Sequence, residues 1–114
     1  MTQFPKGDNT FSQNLASAAL LYTTAIDRAF ILDQILFHCT ANISETITIT
    51  LDAAAGSGYD TILAEVVLVN EADYIFRPQG KAQFKKGDEI KVQCTNVGTT
   101  GTISGIIKTS EALV

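Results

Sequence analysis

The chain carries one histidine, His38, followed directly by Cys39, one of its two cysteines. A cysteine nucleophile needs a base within hydrogen-bond reach, and a Ser-His-Asp arrangement needs the same imidazole to take a serine proton. On a strand, successive side chains point to opposite faces, so His38 and Cys39 do not share a site there. No G-x-S-x-G sequence leads into a helix, which removes the usual setting of a serine nucleophile on an α/β scaffold. His38 is therefore read as a surface or strand-edge residue, and the chain as a non-enzyme.

The carboxylates offer two further chemistries. Asp52 and Asp60 bracket a loop containing Gly56 and Gly58, and such a loop could wrap Ca²⁺, but two carboxylates without the EF-hand spacing fall short of a site. Asp33 and Glu65 sit inside apolar stretches and could face each other as an acid-base pair, which would require a set separation. Solvent exposure, or pairing with Arg28 or Lys91, is the ordinary fate of such residues. Tyr59 and Asp60 occupy the glycine-containing loop, where a sugar could reach an aromatic face. They are the ligand-loop residues of a carbohydrate-binding alternative. Trp is absent and the other tyrosines are Tyr22 and Tyr74. Nothing in the sequence calls for a metal or a cofactor.

The formal net charge is −4, whereas nucleic-acid binding arrays Lys and Arg against phosphate. Lys81, Lys85 and Lys86 are the one tight basic cluster, and Asp88 and Glu89 follow at once. They read as a solvated loop, so no nucleic-acid partner is expected. No run approaches the roughly 20 apolar residues that span a bilayer, and the Leu15–Tyr22 stretch has no basic segment before it, so it makes a poor signal peptide. The expectation is cytoplasmic synthesis without a membrane partner. Two cysteines, Cys39 and Cys94, are too few for a disulfide framework and read as buried, reduced thiols.

The elements that would position these residues are strands. Ile, Val and Thr make up more than a quarter of the 114 residues, and β-branched side chains favour pleated, half-buried surfaces. In Thr46–Leu51 three apolar residues, Ile47, Ile49 and Leu51, alternate with three threonines, the pattern of a strand with one face in the core. Thr61–Val69 is apolar on both faces for much of its length, which predicts a central strand or one covered by a partner. Short strands follow around Tyr74–Arg77 and Ala82–Phe84. Lys86-Gly87-Asp88 predicts a turn in which Asp bonds back to the local backbone. In Glu89–Asn96 the apolar face holds Ile90, Val92 and Cys94, residues 98–101 predict a hairpin-type loop, and Thr102–Lys108 is the last strand. Gly105 inside it predicts a bulge or a close backbone approach.

Asp27–Ala41 fits a helical face at Ala29, Leu32, Leu36 and Cys39, and a strand face at Ile31, Ile35, Phe37, Cys39 and Ala41 interrupted by Asp33. The β-rich surroundings favour the strand. With Ala18–Ala25, about eight strands emerge, which predicts an all-β fold: an antiparallel two-sheet β-sandwich of the jelly-roll kind. The length allows one domain, residues 16–114. Residues 1–15 are polar, carry Pro5 and Gly7 and lack sustained periodicity, so they read as an extended N-terminal arm. Phe4 and Phe11 would be its assembly contacts on a neighbouring subunit or shell.

The stretches "ILFHCTA", "TITITLDAAAGSGYDTIL", "FKKGDEIKVQCTN" and "GTISGII" together resemble small virion proteins of tailed bacteriophages that fold as jelly-roll sandwiches, capsid decoration (cement) proteins among them. The resemblance implies a protein without catalytic group or cofactor, made in the host cytoplasm and carried in the virion. It also implies a homotrimer that binds the major capsid protein or other virion proteins and holds capsomers together. A tail, baseplate or fibre-associated sandwich module is the alternative within the same particle.

Overall fold

The computed structural model describes residues 7–24, 29–78, 82–94 and 101–111. Nine strands run in chain order: β1 (Gly7–Asn14), β2 (Leu20–Thr23), β3 (Phe30–Ile43), β4 (Thr46–Asp52), β5 (Thr61–Val67), β6 (Glu71–Phe76), β7 (Ala82–Phe84), β8 (Glu89–Cys94) and β9 (Thr102–Glu111), with a 3₁₀ turn at Ser57–Tyr59. One sheet has the order β1-β9-β3-β6, with β7 pairing onto β3, and the other has the order β2-β8-β4-β5. All these pairings are antiparallel. Strands β1 and β9, β2 and β8, β3 and β6, and β4 and β5 are therefore nested partners, the arrangement of a long hairpin rolled into two facing sheets, which is a jelly roll.

Alternation explains most of the elements. Ile47 and Ile49 of β4, Ile90, Val92 and Cys94 of β8, and Ile103 and Ile107 of β9 all point into the space between the sheets and are buried. The eighteen buried apolar side chains among the described residues remove enough surface from water for the sandwich to be driven by burial rather than by hydrogen bonds. The predicted turn forms at residues 85–88. Gly87 has φ +95°, and the buried Asp88 side chain accepts hydrogen bonds from the Lys85 N–H (3.0 Å) and, across to the next loop, from the Ala54 N–H (2.9 Å).

Three sequence expectations are corrected. First, residues 7–14 are not an arm. They form β1, paired with β9 from Gly7 opposite Thr109 to Asn14 opposite Thr102. Leu15 is fully buried behind them. The described part of the sandwich starts at Gly7, and its alternation has no period in the sequence because Phe11 and Leu15 are the only large apolar residues among residues 7–15. Residues 1–6, Phe4 among them, lie outside the described residues.

Second, β3 is a strand whose core face changes parity. The pairing with β9 shifts between Leu32 and Gln34, so Asp33 is an extra, bulged residue. Phe30 and Leu32 are buried before the bulge, and Ile35, Phe37 and Cys39 after it. Ile31 is thus off the core face, because a one-residue insertion flips every side chain beyond it.

Third, among the described residues β5 is an edge strand, bonded to β4 alone, which corrects the central-strand half of the expectation and leaves the other half, a strand covered by a partner. The residues 98–100 of the predicted hairpin loop lie outside the described residues, as does Lys81.

Candidate functional site

The loop that the carbohydrate alternative rests on is ordered from within. Asp60 Oδ1 accepts the Ala53 N–H at 2.8 Å, the Tyr59 N–H donates to Gly56 O at 3.0 Å, and the Asp60 N–H donates to Ser57 O at 3.2 Å. Tyr59 is 68% exposed, so its ring is open to a ligand, while one carboxylate oxygen of Asp60 is already spent in closing the loop. Among the described residues no three His, Cys, Asp or Glu side chains come together in a way that would hold a metal ion. Asp33 and Glu65 lie on different sheets. Asp33 instead accepts from the Ser110 hydroxyl, at 2.9 Å to each oxygen.

Phe11, expected to reach another subunit, belongs to the interior of its own chain. It is 7% exposed, stacks on Tyr22 across the sandwich (centroids 5.2 Å apart) and meets Phe37 edge-on (5.8 Å), and Phe37 in turn packs near Tyr74 (6.2 Å). This aromatic string ties β2, β1, β3 and β6 together, and such ring pairs add stability beyond their area. As an assembly contact Phe11 is corrected, since its ring is consumed before any partner arrives.

Two surfaces remain with features that call for a partner. The first is β5 and the turn after it. Ile62 is 61% exposed, Val67 67% and Val69 70%. On β5 the registers place Ile62, Glu65 and Val67 beside Thr50, Thr48 and Thr46 of β4, so they stand on the outer face and next to a strand edge that is unpaired among the described residues. Edge strands of soluble monomers are commonly blunted by Lys, Pro or inward charge. Over Thr61–Val67 the sequence holds no Lys or Pro, and its one charge is Glu65.

The second is the outer face of the β1-β9-β3-β6 sheet, where three cross-strand rows lie side by side. Thr10, Ile106, Leu36 and Ile75 make one row; Ser12, Ser104, His38 and Asp73 make another. Between them runs the row Phe11, Gly105, Phe37 and Tyr74, whose side chains point into the core. An open hollow of about 660 Å³ lies over the part of this face formed by β1, β9 and β3, lined by residues 10–12, 36–38 and 104–106. His38 Nδ1 and Asp73 Oδ1 are 2.5 Å apart, and the Ser12 and Ser104 hydroxyls bond to each other at 3.1 Å. Asp73 and Ser104 were invisible as partners of His38 in the sequence, because only the register of three strands unites them. The row has the residue types of an acyl-transfer triad. Its hydroxyl, however, is bonded to a second serine, and the ring and the carboxylate are both largely exposed.

No protein-family model matches the chain and no curated protein does. Among solved structures it is similar to the core of Drosophila NLP, a crystal structure described as giving insight into pentamer formation and histone binding. The two share 13% identity over 91% of this chain and 98% of that one, with a TM-score of 0.46.

The thiols follow their expected placement. Cys39 and Cys94 are both buried and not joined by a disulfide. Burial pushes the Cys94 thiol up to about 11, with smaller contributions from the Glu45 charge and from Cys39. Cys39 is also raised, by burial first and then by Asp73. A thiol held protonated in this way is a packing group rather than a nucleophile.

Proposed function

We propose that the protein is a non-enzymatic structural component of a tailed-bacteriophage virion, a capsid decoration protein that associates with itself as a homotrimer and seats on the major capsid protein between capsomers. The observation that carries this reading is the β5 edge, with Ile62, Val67 and Val69 exposed beside a strand whose outer side is unpaired among the described residues. Such an edge is a template for pairing and a liability in a monomer, and closed association covers it in every copy. A ring of three requires a heterologous interface in which β5 of one copy meets a different surface of the next. The opposite edge of the same sheet, β2, presents the exposed Leu21 and supplies an apolar surface of the right kind. The resemblance of residues 35–41, 46–63, 84–96 and 101–107 to virion jelly rolls supports the same reading. The mechanism is adhesion, in which modest contacts are multiplied by valency until the particle opens only at higher temperature or force.

The test is to purify particles from the source that encodes the chain, quantify the chain in them by mass spectrometry, and heat particles with and without it. The reading expects the chain in stoichiometric amount and a lower opening temperature in its absence. A chain absent from particles overturns it. The non-enzymatic part is tested separately with p-nitrophenyl acetate, where turnover lost in His38→Ala would make the exposed row a catalytic site.

A further inference from the structure

We propose that the β5 edge is covered by the β2 edge of a second copy, joined by main-chain hydrogen bonds in one antiparallel register, with Leu21 opposite Val67 and Thr23 opposite Glu65. The inference rests on the self-association reading above and names the surface and the pairing that it uses.

The directions of the backbone groups fix the register. In an antiparallel ladder the N–H and C=O of one residue point to the same neighbouring strand, and the side alternates along the chain. The Thr24 N–H donates to Ile90 O at 2.9 Å, and the Leu68 N–H donates to Glu45 O at 2.9 Å. Counting back from Thr24, Tyr22 and Leu20 address β8, which leaves the main-chain groups of Leu21 and Thr23 at an edge unpaired among the described residues. Counting back from Leu68, Val66 and Ala64 address β4, which leaves those of Val67 and Glu65 at the opposite edge of the same sheet.

The side chains agree with the backbone. Leu21 is 66% exposed and Val67 67%, so the register lays one exposed apolar residue against the other while each strand offers the donors and acceptors the other lacks. Strand direction agrees as well. β2, β8, β4 and β5 alternate in direction, so β5 runs against β2, and a copy rotated about an axis along the strands presents β5 antiparallel to β2. Such a rotation is the operation that builds a ring.

Charge selects β2 over a second β5. Residues 45–76 carry six carboxylates, Glu65 among them, and no Lys or Arg. Two β5 edges related by a twofold axis would set these stretches against each other, and like charges on facing strands are destabilising. Leu20–Thr23 is uncharged, and Lys91 of β8 stands beside Thr23. Neither Glu65 nor Lys91 has an ion-pair partner in its own chain among the described residues. In the proposed register Glu65 of one copy lies two strands from Lys91 of the next, about 9.6 Å between backbones, a gap that two long side chains span.

The test is disulfide trapping between copies. Leu21→Cys and Val67→Cys fall on exposed positions, and a hydrogen-bonded antiparallel pair holds its Cα atoms about 5.5 Å apart, within disulfide reach. Oxidised under native conditions, the chain with both substitutions should run as covalent multimers on a non-reducing gel. A mixture of the two single variants should give covalent dimers, and each single variant alone should give none. The parent chain controls for Cys39 and Cys94, which are buried. Glu65→Lys should weaken association about fivefold, the upper end for an exposed ion pair, and adding Lys91→Glu to the same chain should restore it. Cross-linking of Val67→Cys alone would overturn the proposal in favour of the twofold pairing. Multimers by light scattering that the double cysteine variant does not trap would overturn the β2 pairing and leave self-association standing. A chain monomeric at every concentration would remove the self-association reading and this pairing with it.

Discussion

Phe11 lies across Gly105: a Cβ built on the glycine would stand 2.1 Å from Phe11 Cζ and 2.7 Å from each Cε. The two residues face each other in the β1–β9 register, so the missing side chain on one strand is the space filled by the ring on its neighbour. Aromatic cover of a strand glycine restores the packing that the glycine forfeits.

Replacing either partner should be costly, and replacing both less so than the sum. Gly105→Ala forces the ring aside and is expected to cost about 1–3 kcal/mol by overpacking. Phe11→Ala leaves a cavity and is expected to cost about 3–5 kcal/mol. In the double variant the new methyl enters the space the ring has left, so the cycle should show a favourable coupling of about 0.5–3 kcal/mol. Urea denaturation of the four proteins measures it, and strict additivity would mean that the ring does not press on position 105.

This pair also marks where the sequence could be read and where it could not. Gly105 was legible as a special position, a bulge or a close backbone approach, and the structure shows an unbroken register with an aromatic ring against it; the strands with unbroken alternation around Ile47, Ile90 and Ile103 were legible because period-2 burial needs only local information. The role of Phe11 was not, since one aromatic residue in a polar octapeptide gives no period to detect. Asp33 defeated the face assignment of β3 in the same way: a bulge is a single extra residue, and its position is set by the partner strand. The edge placement of β5 and the meeting of His38, Asp73 and Ser104 are consequences of strand order, which no local pattern encodes. For β5 composition leaves a central strand and one covered by a partner equally open, because an apolar strand at an edge resembles one at the centre until its neighbours are known.

Asp88 is a hinge-pin between two loops. Its two oxygens accept from the Lys85 and Ala54 N–H groups, so Asp88→Ala strands two donors in a part-buried place. The expected loss is about 1–3 kcal/mol, with Asp88→Asn losing less because one acceptor survives. Urea denaturation gives the magnitude, and amide exchange should quicken at Ala54 in both variants. Unchanged exchange at Ala54 would contradict the cross-loop bond.

The thiols give a pH dependence with a definite sign. Cys94 rises from the ordinary 9.0 to about 11 in the fold, so between those values the unfolded chain has released its proton while the native chain still holds it. The native state then binds more protons, and stability must fall as pH rises through that window. Below about pH 9 the contribution is fully present, and above about pH 11 it is spent. Stability measured against pH should fall more steeply in the parent than in Cys94→Ala. At pH 8 neither Cys39 nor Cys94 should react with a disulfide reagent until denaturant is added, and prompt reaction of the native chain would refute the burial.

Self-association is expected to run through β5, and a charge placed there should abolish it. Val67→Lys and Ile62→Lys each put a cation on an exposed edge position, the device by which soluble proteins blunt such strands. Both native side chains are largely exposed in the single chain, so the substitutions should leave its thermal unfolding within about 0.5 kcal/mol. Light scattering on a sizing column should then move from a multiple of 12.2 kDa to the mass of one chain, while Thr48→Lys, on the same outer face but on the interior strand β4, should weaken association less. A parent chain that is monomeric at every concentration would remove the edge from consideration as an interface. Variants that keep the parent's mass would instead move the interface elsewhere, and β2 with Leu21 is the next surface to charge.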